Sequence, residues 1–195
     1  MDQVKFFNSI AKDWDNIIKV DEKKINYLLS KIDIKEDDYI LDVGTGTGVL
    51  IPFLAKLSPK GSIKAVDISC NMLDIARNKF DDINNIEFTL LNVETDNLDE
   101  KFNKIILYSM FPHLKDKTNT IKKLVQKNLL DCGKLIIAHS DSREYLNNMH
   151  KNTDKRVSES RLIDVNEQKK IFEDAGLKVE KAFEDDSIYY IVLTK

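Results

Sequence analysis

The sequence predicts an α/β protein with a doubly wound, mostly parallel seven-stranded sheet whose last strand is antiparallel. Three observations support this fold class. Short apolar segments alternate with helical patterns from residue 39 onward, which is typical of a parallel sheet with helical crossovers. A segment with three glycines follows the first apolar segment. The last two apolar segments are only a few residues apart, and a connection of that length joins antiparallel strands.

The first five predicted strands are short and rich in β-branched residues, as expected for strands that helices cover on both faces. The seven strands are predicted at residues 39–43, 62–68, 86–91, 104–109, 134–139, 177–183 and 187–194. Helical patterns before and between the strands predict seven helices. These helices are predicted at residues 2–14, 21–31, 48–57, 70–79, 118–129, 142–150 and 166–175.

Three residues mark the ends of predicted helices. Pro52 lies in the first turn of its helix, where a missing amide removes no intrahelical hydrogen bond. Ser142 can cap the helix that follows it. Gly176 directly follows a helical pattern and suits a left-handed carboxyl-terminal cap. These residues support the order of elements given above.

The length of 195 residues is typical of one domain. We expect a single domain over residues 1–195. Within it, residues 1–31 are predicted to form a helical extension or lid. Residues 151–165 are polar and aperiodic, and we expect a flexible loop of the kind that often covers a binding site.

The composition argues against several classes of protein. The net charge is −3, so we expect no bulk cationic surface for nucleic acid. No apolar segment approaches the length of a membrane span, and charged residues interrupt the amino-terminal apolar residues, unlike in a signal peptide. The two cysteines, Cys70 and Cys132, predict neither a disulfide framework nor a thiolate metal site. We therefore expect a cytoplasmic protein.

A glycine-rich segment and an acid carry the main functional signal. Residues 42–48 read Asp-Val-Gly-Thr-Gly-Thr-Gly between a strand and a helix. Glycines allow a sharp turn and a close approach to a ligand, and free amides at a helix start favour an anionic group. The next strand ends in Asp67, and an acid in that position can accept both ribose hydroxyls of an adenosine. The pair indicates a cofactor that contains adenosine.

The spacing of the glycines bears on which cofactor this is. The dinucleotide fingerprint GxGxxG needs a third glycine where this sequence has Val49. The spacing here is GxGxG, which makes a nicotinamide dinucleotide less favoured without excluding it.

These motifs resemble those of class I S-adenosylmethionine-dependent methyltransferases, near the ubiquinone/menaquinone type, which have a Rossmann-like fold. ILDVGTGTGVL is similar to the first motif of that family, and AVDISCNMLDIAR to the second. FFNSIAKDWD looks like the lid helix that begins many members, while LLNVETDNL and CGKLIIAHS correspond to later motifs. Asn92 stands where an aspartate is usual. Residues 109–112 read Ser-Met-Phe-Pro rather than the N-P-P-Y of amine-directed DNA methyltransferases.

The resemblance implies S-adenosyl-L-methionine as cofactor and S-adenosyl-L-homocysteine as product. It implies that Asp42 supports the glycine loop and the methionine amino group. Ile68 and Met72 would sandwich adenine or belong to the core, and Trp14 would close over the cofactor or pack on the sheet. The cofactor-binding residues predicted in this way are Trp14, Asp42, Gly44, Thr45, Gly46, Gly48, Asp67, Ile68, Met72, Asn92, Val93, Glu94 and Tyr108.

Catalytic residues are harder to predict, because methyl transfer needs a base only when the acceptor atom must lose a proton. The three histidines are candidates. His113 follows the fourth strand and His139 ends the fifth, while Arg143 and His150 share a helix face. These four residues are predicted to bind the acceptor or act as a base, or else to be ordinary hydrogen-bonded residues. A convergence of the histidines on a metal is a further alternative, although we predict no metal site.

The sequence therefore predicts a methyltransferase that acts on a small-molecule acceptor, with neither nucleic acid nor a membrane span. Two other classes stay open. An NAD-dependent oxidoreductase uses the same kind of loop and acid, but also needs a proton donor and room for a second nucleotide. A non-catalytic adenosylmethionine-binding protein has the cofactor residues without an organised acceptor pocket.

Overall fold

The computed structural model describes residues 2–152 and 160–195, and it confirms the predicted sheet. Seven strands lie in the order β3-β2-β1-β4-β5-β7-β6. Their bounds are β1 Tyr39–Val43, β2 Ser62–Asp67, β3 Ile86–Leu90, β4 Phe102–Tyr108, β5 Leu129–His139, β6 Lys178–Glu184 and β7 Tyr189–Thr194. Strands β1 to β5 pair in parallel, whereas β7 is antiparallel to both β5 and β6. The predicted antiparallel last strand is thus present.

Helices lie before, between and after the strands of the parallel part of the sheet. Their bounds are α1 Asp2–Ile10, α2 Trp14–Ile17, α3 Glu22–Leu29, α4 Ile51–Leu57, α5 Cys70–Lys79, α6 Lys117–Lys123, α7 Arg143–Asn152 and α8 Val165–Asp174. Two clusters of buried apolar side chains fill the core, and alternate residues of β1 belong to different clusters. Leu41 and Val43 belong to one cluster, while Ile40 belongs to the other. Because successive strand residues point to opposite faces, the sheet is covered on both sides.

The register places several strand ends at one edge of the sheet. Val43 of β1 is aligned with Val66 of β2 and with Leu107 of β4. Tyr108, the last residue of β4, is aligned with Ala138 of β5. In open α/β sheets, ligands bind at this carboxyl edge, where the order of strands reverses. Here the reversal falls between β1 and β4.

Two predicted helices have different bounds in the structure. The helix predicted at 48–57 begins only at Ile51, because the chain turns through the glycine segment first. The helix predicted at 118–129 ends as an α-helix at Lys123 and continues as a π-helix over Leu124–Asn128. Strand β5 then begins at Leu129, five residues earlier than predicted, since Leu129 pairs with Phe102 of β4.

The three residues predicted to mark helix ends have the expected positions in the structure. Pro52 lies in the first turn of α4. The Ser142 hydroxyl accepts a hydrogen bond of 3.2 Å from the Tyr145 amide. Gly176 has φ +81° directly after α8, as a left-handed cap requires.

The two segments predicted to be a lid and a loop are partly helical. The pattern over 2–14 folds as α1, a 3-10 helix at Ala11–Asp13 and the start of α2. Helix α7 extends to Asn152 and α8 begins at Val165, so the predicted loop is shorter than 151–165. Residues 153–159 of that loop lie outside the described residues. In the part of the chain that is described, no helix has the length and apolar character of a membrane span.

Candidate active site

The glycine loop follows β1 at the carboxyl edge of the sheet. Gly44, Gly46 and Gly48 have φ values of +71°, +57° and +87°, a region that residues with a side chain rarely adopt. Space is restricted as well, since a Cβ on Gly44 would lie 2.8 Å from the Cβ of Met110. The amides of Gly44 and Thr45 donate to the Val66 carbonyl at 2.8 and 3.0 Å. The loop is thereby fixed to the end of β2.

Asp67, the last residue of β2, is held in place by the loop and by α5. Its Oδ2 accepts the Gly46 amide at 2.9 Å, and its Oδ1 accepts the Ser69 amide at 2.8 Å. A carboxylate oxygen has two lone pairs, so each oxygen can still accept one more hydrogen bond. Burial raises the pKa of Asp67, while the backbone amides of Ser69 and Gly46 oppose this shift. The geometry suits the predicted role on a ribose diol.

Asp42 and Thr45 contribute polar atoms that are buried and unpaired. Asp42 is 2% exposed, and burial raises its pKa to about 7. Its Oδ2 and the Thr45 Oγ1 have no hydrogen-bond partner among the described residues. The Thr45 hydroxyl is near enough to oppose part of the rise in the Asp42 pKa, but the geometry of a full hydrogen bond between them is not met. Buried polar atoms are normally paired, so this pair beside a glycine loop fits a site shaped for a polar ligand.

The amino-terminal helices contact the loop, and their role as a lid stays a prediction. The Trp14 Nε1 would lie 3.5 Å from a Cβ on Gly46. The Thr47 hydroxyl donates to Asp15 at 2.5 Å, and the other Asp15 oxygen accepts from Lys79 at 2.7 Å. The amino-terminal segment therefore contacts both the glycine loop and α5.

A second contact joins α1 to the start of α5. The Ser69 hydroxyl donates to the Asn8 Oδ1 at 2.6 Å, and the Asn71 side-chain amide donates to the Asn8 carbonyl at 3.0 Å. Asn8 was not singled out from the sequence. It lies within the FFNSIAKDWD segment, but nothing in the pattern distinguishes it from other exposed polar residues.

Three further predicted cofactor residues lie on the elements next to the loop. Met72 is buried at 1% exposure in α5, whereas Ile68 is half-buried between β2 and α5. The Tyr108 hydroxyl donates to the Ser140 hydroxyl at 2.7 Å, and burial raises the Tyr108 pKa. These positions agree with both the adenine-binding and the core interpretation, so their roles stay predictions.

The residues after β3 mainly form hydrogen bonds within their own loop and with the loop just before α6. The Asn92 Oδ1 accepts the Glu94 amide at 2.9 Å. The Glu94 Oε1 accepts the amides of Lys115 and Asp116 at 2.8 and 2.9 Å. Val93 is buried at 4% exposure. Contacts of Asn92, Val93 and Glu94 with an adenine ring stay a prediction.

The structure brings His113 and His150 together. Their ring centroids are 5.1 Å apart. The His113 Nδ1 lies 2.9 Å from the Ser160 hydroxyl, and the His150 Nδ1 lies 2.7 Å from the Ser160 carbonyl. Phe7 of α1 packs edge-on against His113 at 5.3 Å. Burial lowers the pKa of His113 to about 3 and also lowers that of His150, so His113 is neutral near pH 7.

His139 is buried beside Tyr189. It is 1% exposed, and Tyr189 is fully buried. The two residues are aligned across the β5–β7 pair, with ring centroids 6.0 Å apart. Both His139 nitrogens and the Tyr189 hydroxyl lack hydrogen-bond partners among the described residues. Burial lowers the pKa of His139 to about 3, with smaller contributions from His113 and His150. The sequence analysis missed Tyr189, because an aromatic residue at a strand start gives no signal of function.

Arg143 forms an ion pair with Glu184. Its Nε donates to both carboxylate oxygens of Glu184, at 3.2 and 3.0 Å. On the same helix face, the Asn147 side chain exchanges two hydrogen bonds with the Leu162 backbone, at 2.8 and 2.9 Å. This helix face thus forms hydrogen bonds with β6 and with residues 160–162, through Arg143, Asn147 and His150. A catalytic role of Arg143 stays a prediction. Among the described residues, no three His, Cys, Asp or Glu side chains are placed to hold a metal ion.

Comparison with curated proteins places these features in a family. Residues 34–176 match the family model described as "Methyltransferase domain". Malonyl-[acyl-carrier protein] O-methyltransferase of Acetivibrio thermocellus is 37% identical over 122 residues, which are 62% of this chain and 43% of that protein. The protein of that name from Priestia megaterium is 29% identical over 137 residues, or 69% of this chain and 49% of its own length. The chain therefore spans half or less of these relatives.

Solved structures share the fold. A SAM-dependent methyltransferase from Aquifex aeolicus has a TM-score of 0.72 at 22% identity, over 95% of this chain and 97% of its own. The DhpI-SAM-HEP complex has a TM-score of 0.75 at 14% identity, over 100% of this chain and 96% of its own. The ubiquinone/menaquinone subtype stays a prediction. The family match covers most of the chain, including the glycine loop and Asp67, and the chain therefore belongs to the methyltransferase domain family, in class I of the S-adenosylmethionine-dependent methyltransferases.

Proposed function

We propose that this chain binds S-adenosylmethionine at the glycine loop and transfers its methyl group to a small-molecule acceptor. The observation that carries the proposal is the contact between Gly46 and Asp67, which joins the loop to the strand-end acid. This contact fixes a carboxylate beside a turn that only glycines can form. The family match and the named activities of the relatives support the same function.

The residues present fit this cofactor. Asp67 has spare lone pairs for two ribose hydroxyls, and the unpaired Asp42 and Thr45 oxygens can accept from a methionine ammonium group. Trp14 lies over the loop and would exclude water. When bound, the sulfonium supplies an electrophilic methyl group. The chain must then hold the acceptor in line with that group, which is mainly a matter of positioning.

The acceptor is proposed to be a small molecule methylated at oxygen. The relatives are named O-methyltransferases, and their named acceptor is a malonyl group on a carrier protein. The net charge of −3 gives no general attraction to nucleic acid. A cytoplasmic location is part of the proposal, since Cys70 and Cys132 are both exposed and unpaired and such thiols persist in a reducing compartment.

The first test compares two cofactors. We expect calorimetry to detect adenosylhomocysteine binding at micromolar or tighter affinity, and NAD binding at least about tenfold weaker, or about 1.4 kcal/mol. The reason is that the loop lacks the third glycine of the dinucleotide fingerprint. Stronger binding of NAD would favour the oxidoreductase alternative. Adenosylhomocysteine binding without methyl transfer to any acceptor would favour the non-catalytic alternative.

A second prediction concerns the pH dependence of binding. The Asp42 pKa is raised to about 7, so this carboxyl is partly protonated at neutral pH in the free protein. A ligand ammonium group binds the ionised form better. We therefore expect adenosylhomocysteine affinity to rise from pH 6 to pH 8 by up to about tenfold, with proton release on binding. Calorimetry in two buffers of different ionisation enthalpy measures both quantities.

Asp42→Asn is the control for this prediction. It removes the titrating group and should abolish most of the pH dependence. A parent affinity that does not change between pH 6 and pH 8 would contradict the assignment of Asp42. The same pKa has a consequence for the free protein. Because the folded pKa exceeds the ordinary value of 3.8, the contribution of Asp42 to stability falls as the pH rises from about 4 to about 7.

A further inference from the structure

Three unpaired polar atoms belong to neighbouring residues of β5 and β7, at the edge of the sheet where the parallel strands end. They are the two ring nitrogens of His139 and the hydroxyl of Tyr189, in side chains that are 1% and 0% exposed. His139 is the last residue of β5, and Tyr189 is aligned with it as the first residue of β7. Burial without a partner costs free energy for each such atom. Three such atoms in one place indicate that a group of a ligand completes their hydrogen bonds when it binds.

The chemistry of these atoms restricts the missing partner. A neutral imidazole offers one N–H donor and one lone pair, and a phenol offers one donor and two lone pairs. A carboxylate can only accept, so it would leave the imidazole lone pair unpaired. A hydroxyl group both donates and accepts, and it can therefore pair with both residues.

The charges around the cluster favour an uncharged partner as well. Arg143 and Glu184 both influence Tyr189, but the arginine already donates to both oxygens of that carboxylate. His113 and His150 also influence His139, and burial disfavours the charged form of each. An anionic acceptor group would thus meet no uncompensated cation among these four side chains.

We propose that Tyr189 and His139 bind the reacting hydroxyl group of the acceptor, and that the enzyme is an O-methyltransferase of an alcohol, phenol or enol. This inference rests on the proposed function. Transfer would form an oxygen–methyl bond and break the sulfur–methyl bond, and the hydroxyl proton would be lost to solvent as the methyl group is transferred. The neutral His139 ring would accept the hydrogen bond of that hydroxyl and orient it, and the Tyr189 hydroxyl would donate to the same oxygen.

Acceptor binding at the cluster requires the side chains around it to move, because His139 and Tyr189 are 1% and 0% exposed. Ser160 and Leu162 are buried at 4% and 3% exposure. Their polar attachments are the Ser160 contacts with His113 and His150 and the paired hydrogen bonds between Leu162 and Asn147. The same two histidines contribute to the lowered pKa of His139.

The test uses Tyr189→Phe, which removes only the hydroxyl, and Tyr145→Phe as a matched control on the exposed face of α7. The probes are phenol, catechol and 1-hexanol as hydroxyl acceptors, with benzoate and malonyl-coenzyme A as carboxylates. Transfer of labelled methyl from adenosylmethionine is measured. We expect the parent to methylate at least one hydroxyl probe in preference to both carboxylates. We expect Tyr189→Phe to lower that kcat/KM at least tenfold, on the scale of a lost buried hydrogen bond.

Two further measurements distinguish a binding role from a structural one. Tyr189→Phe should keep its adenosylhomocysteine affinity within about twofold, and its Tm should not fall, because the lost hydroxyl had no partner. Tyr145→Phe should match the parent in all three measurements. A lower Tm for Tyr189→Phe, unchanged turnover in it, or preferred methylation of a carboxylate would overturn the proposal.

The remaining outcomes separate this inference from the proposed function. Adenosylhomocysteine binding with no methylation of any hydroxyl probe would overturn the acceptor assignment and leave the cofactor assignment standing. Absence of adenosylhomocysteine binding in the parent would overturn the proposed function itself.

Discussion

Asp67→Ala should weaken adenosylhomocysteine binding on the order of 100-fold. The aspartate is positioned by two backbone amides, from Gly46 and Ser69, and each carboxylate oxygen has a lone pair left for a ribose hydroxyl. A hydrogen bond to a charged group contributes roughly 1.5–3 kcal/mol, and two such bonds are lost together. Calorimetry of parent and variant at pH 8, where Asp42 is ionised, gives the ratio of affinities.

Two controls make this prediction specific. Asp37→Ala removes an exposed acid just before β1, at the opposite edge of the sheet, and should leave the affinity unchanged. Asp67→Asn retains an acceptor for only one of the two backbone amides, from Gly46 and Ser69, and should lose most of the charge-assisted part of the affinity; its Tm shows whether the lost backbone hydrogen bond also destabilises the fold. Equal affinities of Asp67→Ala and the parent would show that the ribose, if it binds, is held elsewhere.

Gly61→Ala should be the most destabilising alanine substitution of a glycine away from the cofactor site. A Cβ there would overlap the Asp38 backbone carbonyl and the Ser58 hydroxyl, which are themselves hydrogen-bonded to each other. Ser58 is fully buried, so neither group can move aside into solvent. We expect a loss of about 3 kcal/mol in the free energy of unfolding, measured by urea denaturation, with adenosylhomocysteine affinity preserved.

Gly176→Ala is the matched comparison. Gly176 has φ +81°, but a Cβ would meet no atom within 4 Å. Its cost should be only the left-handed conformation of a non-glycine residue, about 1–2 kcal/mol. If Gly176→Ala proved more destabilising than Gly61→Ala, backbone conformation rather than close contact would dominate at these turns.

Strand prediction succeeded for the first three strands. β1 was predicted to the residue, and β2 and β3 to within one residue at their ends. The segment over 124–133 was not predicted correctly, because its structure depends on distant partners. The side-chain amide of Asn128 donates to the carbonyls of Leu98 and Glu100, and Leu129 pairs with Phe102. No local pattern encodes these contacts.

The cofactor side of the site was more predictable than the acceptor side. The glycine loop and Asp67 are read from short motifs whose spacing reflects backbone conformation and strand ends. The acceptor side depends on which side chains remain unpaired after folding. His139 was predicted from its place at a strand end, but Tyr189 becomes a candidate only because its hydroxyl has no partner among the described residues. Likewise, the link of His113 and His150 through Ser160 depends on the fold of residues far apart in sequence.

The position of β7 between β5 and β6 has a consequence for synthesis of the chain. Until residues 189–194 have emerged from the ribosome, β5 has a partner on one side only, and its other edge exposes a row of unpaired amides and carbonyls. Nascent chains that have completed the parallel strands but not β7 are therefore the species most exposed to edge-to-edge association. Since Tyr189 arrives with that strand, the proposed acceptor site is also assembled after the cofactor loop. The nascent chain therefore completes the glycine loop before the residues that we propose to bind the acceptor are all in place.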